Sequence, residues 1–268
     1  MNKFDIKQLI DNTIYKCFNL YSNLLYFIRF KLKNEIKKNI KFKDIHNGQR
    51  CFIIGTGPSL NFIQERHIDF LKAEVVFAVN SFYKIEKTKT IIPMYYSLFD
   101  DLYWKQWNFT FDEISKYYGS SCPKFITDLR AKKFMDKNSS PENNIFLFMK
   151  QFPASTIDSN IDTNTYMAMN VVAQTILCAI YLGFKEIYLL GCDYNAFCTL
   201  GKGHAYDDKS EVSQSNYNLA FYLKYYWIGT EIHYKIFEHA KSKGISIINL
   251  TQGSLLDAYP KKNIDEIL

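Results

Sequence analysis

The chain has 268 residues and a formal net charge of +6, and 47% of its residues are hydrophobic. This length predicts one large α/β domain with at most a small accessory segment, and the apolar fraction is sufficient for a packed core. The mildly basic balance suits anionic small molecules or an anionic membrane surface, and it gives no sign of nucleic-acid binding.

The cysteines are dispersed along the chain, and no two form a Cys-x-x-Cys pair. This usage predicts reduced thiols in a reducing compartment. Neither a membrane-spanning helix nor a signal peptide is expected, since the apolar runs are short and no small-residue cleavage site follows one. We therefore expect a cytoplasmic location, with any membrane contact peripheral and on the inner face.

Residues 1–45 differ in pattern from the rest of the chain. Apolar residues such as Ile10 and Ile14 recur at helical spacing, and a lysine-rich stretch covers 29–43. An amphipathic helix beside a cationic stretch can lie on an anionic membrane, although it can equally pack on its own domain or on a second copy. We therefore divide the chain into this helical segment and a catalytic domain over 46–268.

A glycine-containing turn follows the first apolar run of this domain. Its residues are Gly55, Thr56, Gly57, Pro58 and Ser59. The pattern predicts a strand over 51–54 and a helix near 59–72, with N–H groups at the helix start that attract phosphate. The motif is not Gly-x-Gly-x-x-Gly, because Leu60 stands at the third glycine position, so a plain strand-to-helix turn without a ligand is the alternative.

The remaining elements alternate between strands and helices. Apolar runs predict strands over 74–79, 92–98, 124–127, 145–149, 186–190 and 245–250. Helical spacing predicts helices over 165–182, 213–228 and 231–243, and loops over 150–166 and 195–215. Gly183 is expected to end the first of these helices. The alternation predicts a doubly wound parallel α/β sheet, in which ligands bind beyond the carboxyl ends of the strands.

Small or polar residues follow most of these strands. They are Asn80 and Ser81, then Ser97 and Asp100, then Asp193, Tyr194 and Asn195, and finally Thr251 and Ser254. Polar groups that meet at one sheet edge can form a pocket that hydrogen-bonds base, ribose and phosphate. Asn, Asp and Ser also favour ordinary turns, so each residue taken alone has a structural explanation.

Two histidines are candidates for a general base. His204 lies in a glycine-bearing loop beside Tyr206 and Asp207, where it could take a proton from an acceptor hydroxyl. His233 is the rival, because it lies early in the helix predicted over 231–243. The sequence contains no His, Cys, Asp or Glu cluster at metal-ligand spacing, so we expect metal-independent chemistry and no bound cofactor.

Three motifs resemble a known group of proteins. They read Ile-Ile-Gly-Thr-Gly-Pro-Ser-Leu over 53–60, Phe-Ala-Val-Asn-Ser-Phe-Tyr over 77–83 and Leu-Gly-Phe-Lys-Glu-Ile-Tyr-Leu-Leu-Gly-Cys-Asp-Tyr over 182–194. They resemble the bacterial sialyltransferases of glycosyltransferase family 42. They equally resemble the pterin-pyrophosphokinase-like family, which includes motility-associated flagellin glycosyltransferases. The resemblance implies a Rossmann-like, GT-A-like fold and, for the sialyltransferases, metal-independent inverting transfer from a CMP-activated nonulosonic acid to membrane-borne glycans.

The resemblance also implies roles for individual residues. Those matched to the nucleotide site are Gly55, Gly57, Pro58, Ser59 and Asn80, with Thr56 where the family has asparagine. Tyr194, Asn195 and Tyr206 occupy the region of the family's phosphate-side tyrosines. The family's catalytic histidine has no counterpart between Asp207 and Ile232, so His204 is the substitute, with Tyr194 and Tyr206 as further catalytic candidates. The family's arginine and serine at the long-helix start are also absent, and nearby Asn170 is a nucleotide-binding candidate alongside Ser81, Asp193 and Asn195.

The leading hypothesis is a sialyltransferase-like glycosyltransferase that acts on a cell-surface glycan, as in lipopolysaccharide or capsule biosynthesis. Its expected partners are a nucleotide-sugar donor, a glycan acceptor and an anionic membrane, and a homo-oligomer is possible. The alternatives are a Mg²⁺-dependent diphosphokinase of the pterin type and a non-catalytic nucleotide-binding protein.

Overall fold

The structure, a computed structural model, describes residues 2–135, 141–198, 203–207 and 218–268. Within these residues the strands are β1 (Arg50–Ile54), β2 (Val76–Val79), β3 (Tyr95–Leu98), β4 (Lys124–Asp128), β5 (Ile145–Gln151), β6 (Asn164–Tyr166), β7 (Glu186–Leu190) and β8 (Ser246–Asn249). They form one parallel sheet in the order β6-β5-β4-β3-β2-β1-β7-β8. The doubly wound α/β prediction is confirmed.

Helices cover both faces of the sheet. In the described residues they are α1 (Lys3–Ile28), α2 (Phe30–Lys37), α3 (Glu65–Leu71), α4 (Leu102–Lys105), α5 (Thr110–Tyr118), α6 (Val171–Leu182) and α7 (Leu219–Ser242). Side chains alternate across each strand, so β1 serves two cores at once. Ile53 packs in the core that contains α6 and part of α7, whereas Phe52 and Ile54 pack in the core on the opposite face.

Helix α6 is buried along almost its whole length, from Val172 to Leu182. Its start is fixed by the Asn170 side chain, which accepts hydrogen bonds from the N–H groups of Val172 and Ala173. Its end is fixed by Gly183, whose φ of 99° is left-handed and therefore favours glycine. The predicted stop at Gly183 is confirmed.

The predicted helices differ from those of the structure, and several strands are a few residues shorter than predicted. The single helix expected near 59–72 is a 3-10 turn over Pro58–Phe62 followed by α3. The helix expected from residue 165 begins only at Val171, because Asn164–Tyr166 pairs with β5 as an edge strand inside the expected loop. The two helices expected over 213–228 and 231–243 form one continuous α7 from Leu219, and the start of the first, with much of the loop expected over 195–215, lies outside the described residues.

The strand order changes direction beside β1. The chain builds the sheet outward from β1 to β6, then returns through α6 and places β7 on the other side of β1. Helices that leave neighbouring strands on opposite faces at such a point leave a crevice at the carboxyl ends of the strands. The glycine turn after β1, the residues after β7 and the start of α6 are therefore brought together.

The N-terminal segment lies along the far edge of the sheet, where α1 contacts β5 and β6. The side chain of Asn19 donates to the carbonyl of Phe152 at 2.8 Å and accepts from its N–H at 2.8 Å. Tyr26 is buried and stacks on Phe148 with ring centroids 5.8 Å apart. Much of the remaining apolar surface of α1 is exposed, including Phe4, Leu9, Ile10, Ile14, Leu20, Leu24 and Phe27.

Candidate functional site

A crevice opens beyond the carboxyl ends of β1, β2 and β7. Its walls come from the glycine turn, the ends of β2 and β7, the start of α6, residues 203–204 and the middle of α7. The polar and glycine residues that line it are Gly55, Thr56, Gly57, Asn80, Asn170, Gly191, Asp193, Tyr194, Asn195, Gly203, His204, Tyr225, Tyr226 and His233. The structure thus brings together most of the site residues that the sequence predicts.

The two glycines of the turn allow β1 and β7 to approach closely at the floor of the crevice. A Cβ at Gly55 would meet the carbonyl of Gly191, and a Cβ at Gly57 would meet the carboxylate of Asp193. Asp193 in turn accepts from the N–H of Ser59 at 3.0 Å and from its hydroxyl at 2.7 Å. The Asp193 carboxylate therefore accepts the hydrogen bond from the N–H group that the sequence predicts for a phosphate.

Asn80 follows β2 in a left-handed conformation, with φ of 49°. Its backbone is held on both sides, because its N–H donates to Ser97 O at 3.2 Å and its carbonyl accepts from the Tyr96 hydroxyl at 2.7 Å. Its side-chain Oδ1 is buried and has no hydrogen-bond partner among the described residues. A buried acceptor without a partner is costly, so a ligand donor would satisfy a group that the fold leaves open.

Asn170 connects α6 to the crevice. Its Oδ1 caps α6, so the opposite end of the amide remains for other contacts. Burial raises the pKa of Tyr225 to about 12, and a side-chain hydrogen bond with Asn170 opposes that rise. The Asn170 amide and the protonated Tyr225 hydroxyl therefore form one polar wall of the crevice.

His204 lies beside the glycine turn. Its Nδ1 lies 3.1 Å from the Thr56 hydroxyl, and the N–H of Ala205 donates to the Thr56 carbonyl at 2.8 Å. The imidazole also stacks on Tyr206, with ring centroids 5.0 Å apart. These contacts engage Nδ1 and fix the ring at the crevice wall.

His233, the rival base, is fully buried at the back of the crevice. Its Nδ1 lies 2.8 Å from the Tyr259 hydroxyl, and burial lowers its pKa to about 3. Tyr194 packs over it with ring centroids 5.5 Å apart and approaches Gly229, where a Cβ would lie 2.5 Å from the tyrosine hydroxyl oxygen. Burial also raises the pKa of Tyr194, so both groups are neutral near pH 7 and form the wall of the site.

Several predicted site residues lie behind the crevice. Ser59 lines a separate small cavity with His67, and Ser81 is buried at the start of the turn Phe82–Lys84. Tyr206 packs against the core on the far side of His204, and Pro58 begins the 3-10 turn that leads away from the floor.

Thr251 and Ser254 brace the chain after β7. The Thr251 hydroxyl accepts from the N–H of Cys192 at 3.0 Å, and the Ser254 hydroxyl donates to the carbonyl of Cys192 at 2.6 Å. Their polar groups therefore hold the residues before Asp193 in place.

The sequence interpretation missed Tyr225 and Tyr226, which line the crevice from α7. Both lie in the aromatic-rich stretch Tyr222–Trp227. That run was a usable signal, because aromatic side chains with a polar tip are common where one end of the residue faces a ligand.

In the described ranges, no group of three or more His, Cys, Asp or Glu side chains is placed to hold a metal ion. Over the same part of the chain, every helix is too short or too polar to cross a bilayer.

Comparison with known proteins identifies the family. The model of a family described as 6-hydroxymethylpterin diphosphokinase MptE-like matches residues 19–197. The chain belongs to the MptE-like family. The resemblance to pterin-pyrophosphokinase-like proteins that the three motifs carry is thereby confirmed. No curated protein gives a significant match to this MptE-like chain.

Solved structures similar to the MptE-like chain include two glycosyltransferases. The MAf glycosyltransferase from Magnetospirillum magneticum AMB-1 is 15% identical with a TM-score of 0.49, over 87% of this chain and 39% of that one. The sialyltransferase CstII from Campylobacter jejuni, in complex with the substrate analogue cytidine-5'-monophosphate, is 17% identical with a TM-score of 0.47, over 80% of this chain and 85% of that one. The MptE-like chain thus spans well under half the length of the MAf protein.

Proposed function

We propose that this MptE-like chain is a nucleotide-sugar-dependent glycosyltransferase whose nucleotide lies in the crevice beyond β1, β2 and β7. The observation that carries the proposal is Asn80, whose backbone is locked in a left-handed conformation while its buried Oδ1 has no partner in the described structure. An acceptor fixed in this way suits the amino group of a nucleotide base. A CMP-linked nonulosonic acid is the donor that we favour.

In this proposal the residues around His204 carry out an inverting transfer. His204 takes the proton of an acceptor hydroxyl through Nε2, and the hydroxyl oxygen forms a bond to the sugar carbon from the face opposite the nucleotide. The bond from that carbon to the phosphate oxygen breaks, and the nucleotide leaves with both electrons. We assign the stabilisation of the developing negative charge on the phosphate to the Thr56 hydroxyl and the Asn170 amide, since both residues line the crevice.

A thermal-unfolding screen tests the nucleotide site directly. CMP, UDP, GDP and ATP are added with and without Mg²⁺, and a true ligand at 100 times its dissociation constant is expected to stabilise the fold by about 2.7 kcal/mol. Asn80→Gly tolerates the left-handed backbone and removes the amide, so it should abolish that stabilisation. Asn108→Ala, an exposed asparagine substitution, is the matched control. Stabilisation of Asn80→Gly equal to that of wild type would refute the assignment.

The family name favours a second candidate, transfer of diphosphate from a nucleoside triphosphate to a pterin alcohol. That chemistry uses Mg²⁺ to bridge the phosphates. Stabilisation by ATP only with Mg²⁺, together with formation of a pterin diphosphate, would replace the glycosyltransferase proposal. Nucleotide binding with neither hydrolysis nor transfer would instead indicate a non-catalytic binding protein.

We also propose that α1 makes peripheral contact with an anionic membrane on the cytoplasmic face. The apolar side chains of α1 that point away from β5 and β6 support this, as does the lysine-rich stretch that follows them. The protein should float with vesicles that contain about 30 mol% phosphatidylserine, and it should not float with vesicles of pure phosphatidylcholine. If the protein binds neither kind of vesicle but sediments as a dimer, the exposed surface of α1 would be assigned to contact with a second copy.

A further inference from the structure

A second cavity adjoins the crevice beyond the carboxyl ends of β3, β4 and β5. This side cavity has a volume of about 530 Å³, and it shares the residues Asn80, Asn170, Val171 and Tyr225 with the crevice. The crevice itself holds only about 150 Å³, below the ~300 Å³ at which typical ligand pockets begin. A substrate with two chemically different parts would therefore extend from one into the other.

Buried polar atoms without partners distinguish the side cavity from an ordinary surface depression. Among the described residues these include the indole Nε1 of Trp104 and the amide Nε2 of Gln174, and both residues line the cavity. Trp104 is 5% exposed and Gln174 is 2% exposed. The orientation of Gln174 is fixed, because its Oε1 accepts from the N–H of Ala168 at 3.0 Å and its Nε2 is thus left as a donor. Such groups are retained at a cost that a ligand would remove.

The charges around the side cavity do not favour a phosphate. Arg130 is paired with Asp128 through two contacts of 2.8 and 3.0 Å, and Asp101 is paired with Lys105. Lys150 and Asp100 then contribute one positive and one negative group to the lining. Burial by the surrounding protein raises the pKa of Asp100, while the N–H of Leu102 donates to it at 3.0 Å. A ligand rich in uncharged hydroxyls fits this balance better than a triphosphate.

The mixture of groups also fits a sugar. Trp104 Nε1 and Gln174 Nε2 are donors and the Asp100 carboxyl oxygens are acceptors, and a hydroxyl group suits both because it donates and accepts. Tyr225 is only partly buried and adds aromatic surface for the apolar face of a sugar ring, whereas Trp104 offers its Nε1 edge, because Arg130 lies over its ring at 4.9 Å. We propose that the side cavity is the saccharide subsite of this protein and that Asp100, Trp104 and Gln174 hydrogen-bond the hydroxyls of a sugar ring.

The role of this subsite in transfer rests on the proposed function. The sugar comes from one of two sources with the same chemistry, namely the sugar of the donor or the sugar of the acceptor. Asp100→Asn keeps the shape of the side chain, and Trp104→Phe keeps an aromatic ring, although a smaller one, while removing Nε1. The matched controls are Asp69→Asn, a surface carboxylate paired with Lys72, and Trp107→Phe, a neighbouring indole outside the cavity lining.

The experiment has two binding arms, measured by calorimetry and saturation-transfer NMR. The donor arm compares CMP with CMP-N-acetylneuraminic acid, and UDP with UDP-N-acetylglucosamine. The acceptor arm measures free galactose, lactose and N-acetylglucosamine in the presence of the nucleotide that binds. In one arm, the wild-type protein is expected to bind more tightly because of the sugar. Asp100→Asn and Trp104→Phe should each weaken that binding about tenfold. The two controls should bind as wild type does.

The arms also separate this inference from the proposed function. Binding of sugars that is unaffected by both variants, or no sugar binding in either arm, would overturn the saccharide subsite even if nucleotides bind. Binding of 6-hydroxymethylpterin that both variants weaken would assign the cavity to a pterin and overturn it as well. Free sugars that bind in a variant-sensitive way, with no nucleotide binding at all, would support the subsite while refuting the proposed donor chemistry.

Discussion

Backbone strain is concentrated at the two cavities. Asn80, Met169 and Tyr194 have φ values of 49°, 55° and 59°, and each lines the crevice or the side cavity. For a residue as bulky as tyrosine this region is unfavourable, and each such residue costs about 1–3 kcal/mol. The fold retains this cost because neighbouring groups hold these backbones, as Tyr96 and Ser97 hold Asn80. The side chains at the cavity wall are therefore held in place before any ligand arrives.

His204 is the residue whose substitution tests the proposed transfer reaction most directly. We expect His204→Ala to lower kcat by about 10²–10⁴, the usual contribution of a general base, and to leave the CMP dissociation constant within about twofold. His204→Gln can keep a hydrogen bond to Thr56 and should lower kcat equally. Steady-state transfer assays with parallel calorimetry measure both quantities. Turnover in either variant that matches wild type would remove His204 from the mechanism.

At the residue scale, the sequence predicted which residues lie at the sheet edge better than it predicted what their side chains contact. It placed Asn80, Asp193 and His204 near one sheet edge, because strands that run parallel must end together. It could not show that Asp193 bonds Ser59, or that Thr251 and Ser254 brace Cys192. A polar side chain after a strand can face a ligand or a nearby backbone group, and its sequence neighbours are the same in both cases.

At the scale of elements, the apolar strands were predictable and the polar or interrupted elements were not. Strand β6 has only three residues and lies at the sheet edge, so it lacks the apolar run that identifies β1 or β7. Helix α7 continues through Gly229, which falls in the gap between the two helices predicted over 213–228 and 231–243. Glycine suits this position because the Tyr194 hydroxyl lies where a side chain at residue 229 would be. The sequence alone does not reveal that contact.

Helix α6 links stability to the site through its cap. Asn170→Ala removes both capping hydrogen bonds and is expected to lower the free energy of unfolding by about 1 kcal/mol, whereas Asn170→Ser restores a capping oxygen and should recover most of it. Both variants lack the amide beside Tyr225, so both should weaken CMP binding by a similar factor. Urea titrations and calorimetry measure the two effects. A serine variant that binds CMP as wild type does would limit Asn170 to capping.

For the whole molecule, the order of the strands decides where the chemistry can lie. The glycine turn and the residues after β7 are separated by more than one hundred residues along the chain, yet Gly57 donates to Gly191 at 2.9 Å. The α/β alternation predicted the kind of sheet, and with it the edge that carries the site. It did not predict the side cavity, because Trp104, Arg130 and Gln174 come from three separate crossovers whose packing depends on the complete fold.

Stability of the whole fold should fall in mild acid because buried histidines resist protonation. Burial lowers the pKa of His233 to about 3, and it also lowers the pKa values of His46 and His239. The unfolded chain binds these protons below about pH 6.5, so stability is complete above that pH and is lost as pH falls toward 3. His233 alone should cost about 2 kcal/mol between pH 6.5 and pH 5.

Urea titrations at pH 7 and pH 5 measure this loss. His233→Gln carries no titrating group, so its free energy of unfolding should change less between the two pH values by about the His233 contribution. The carboxyls of Asp100 and Asp193 oppose the trend, because burial raises their pKa values and the folded state then gains protons first. Their effect is the same in both proteins and cancels in the comparison. An equal pH dependence in wild type and His233→Gln would show that His233 is protonated in the folded state or accessible to water, and it would then return as a candidate base.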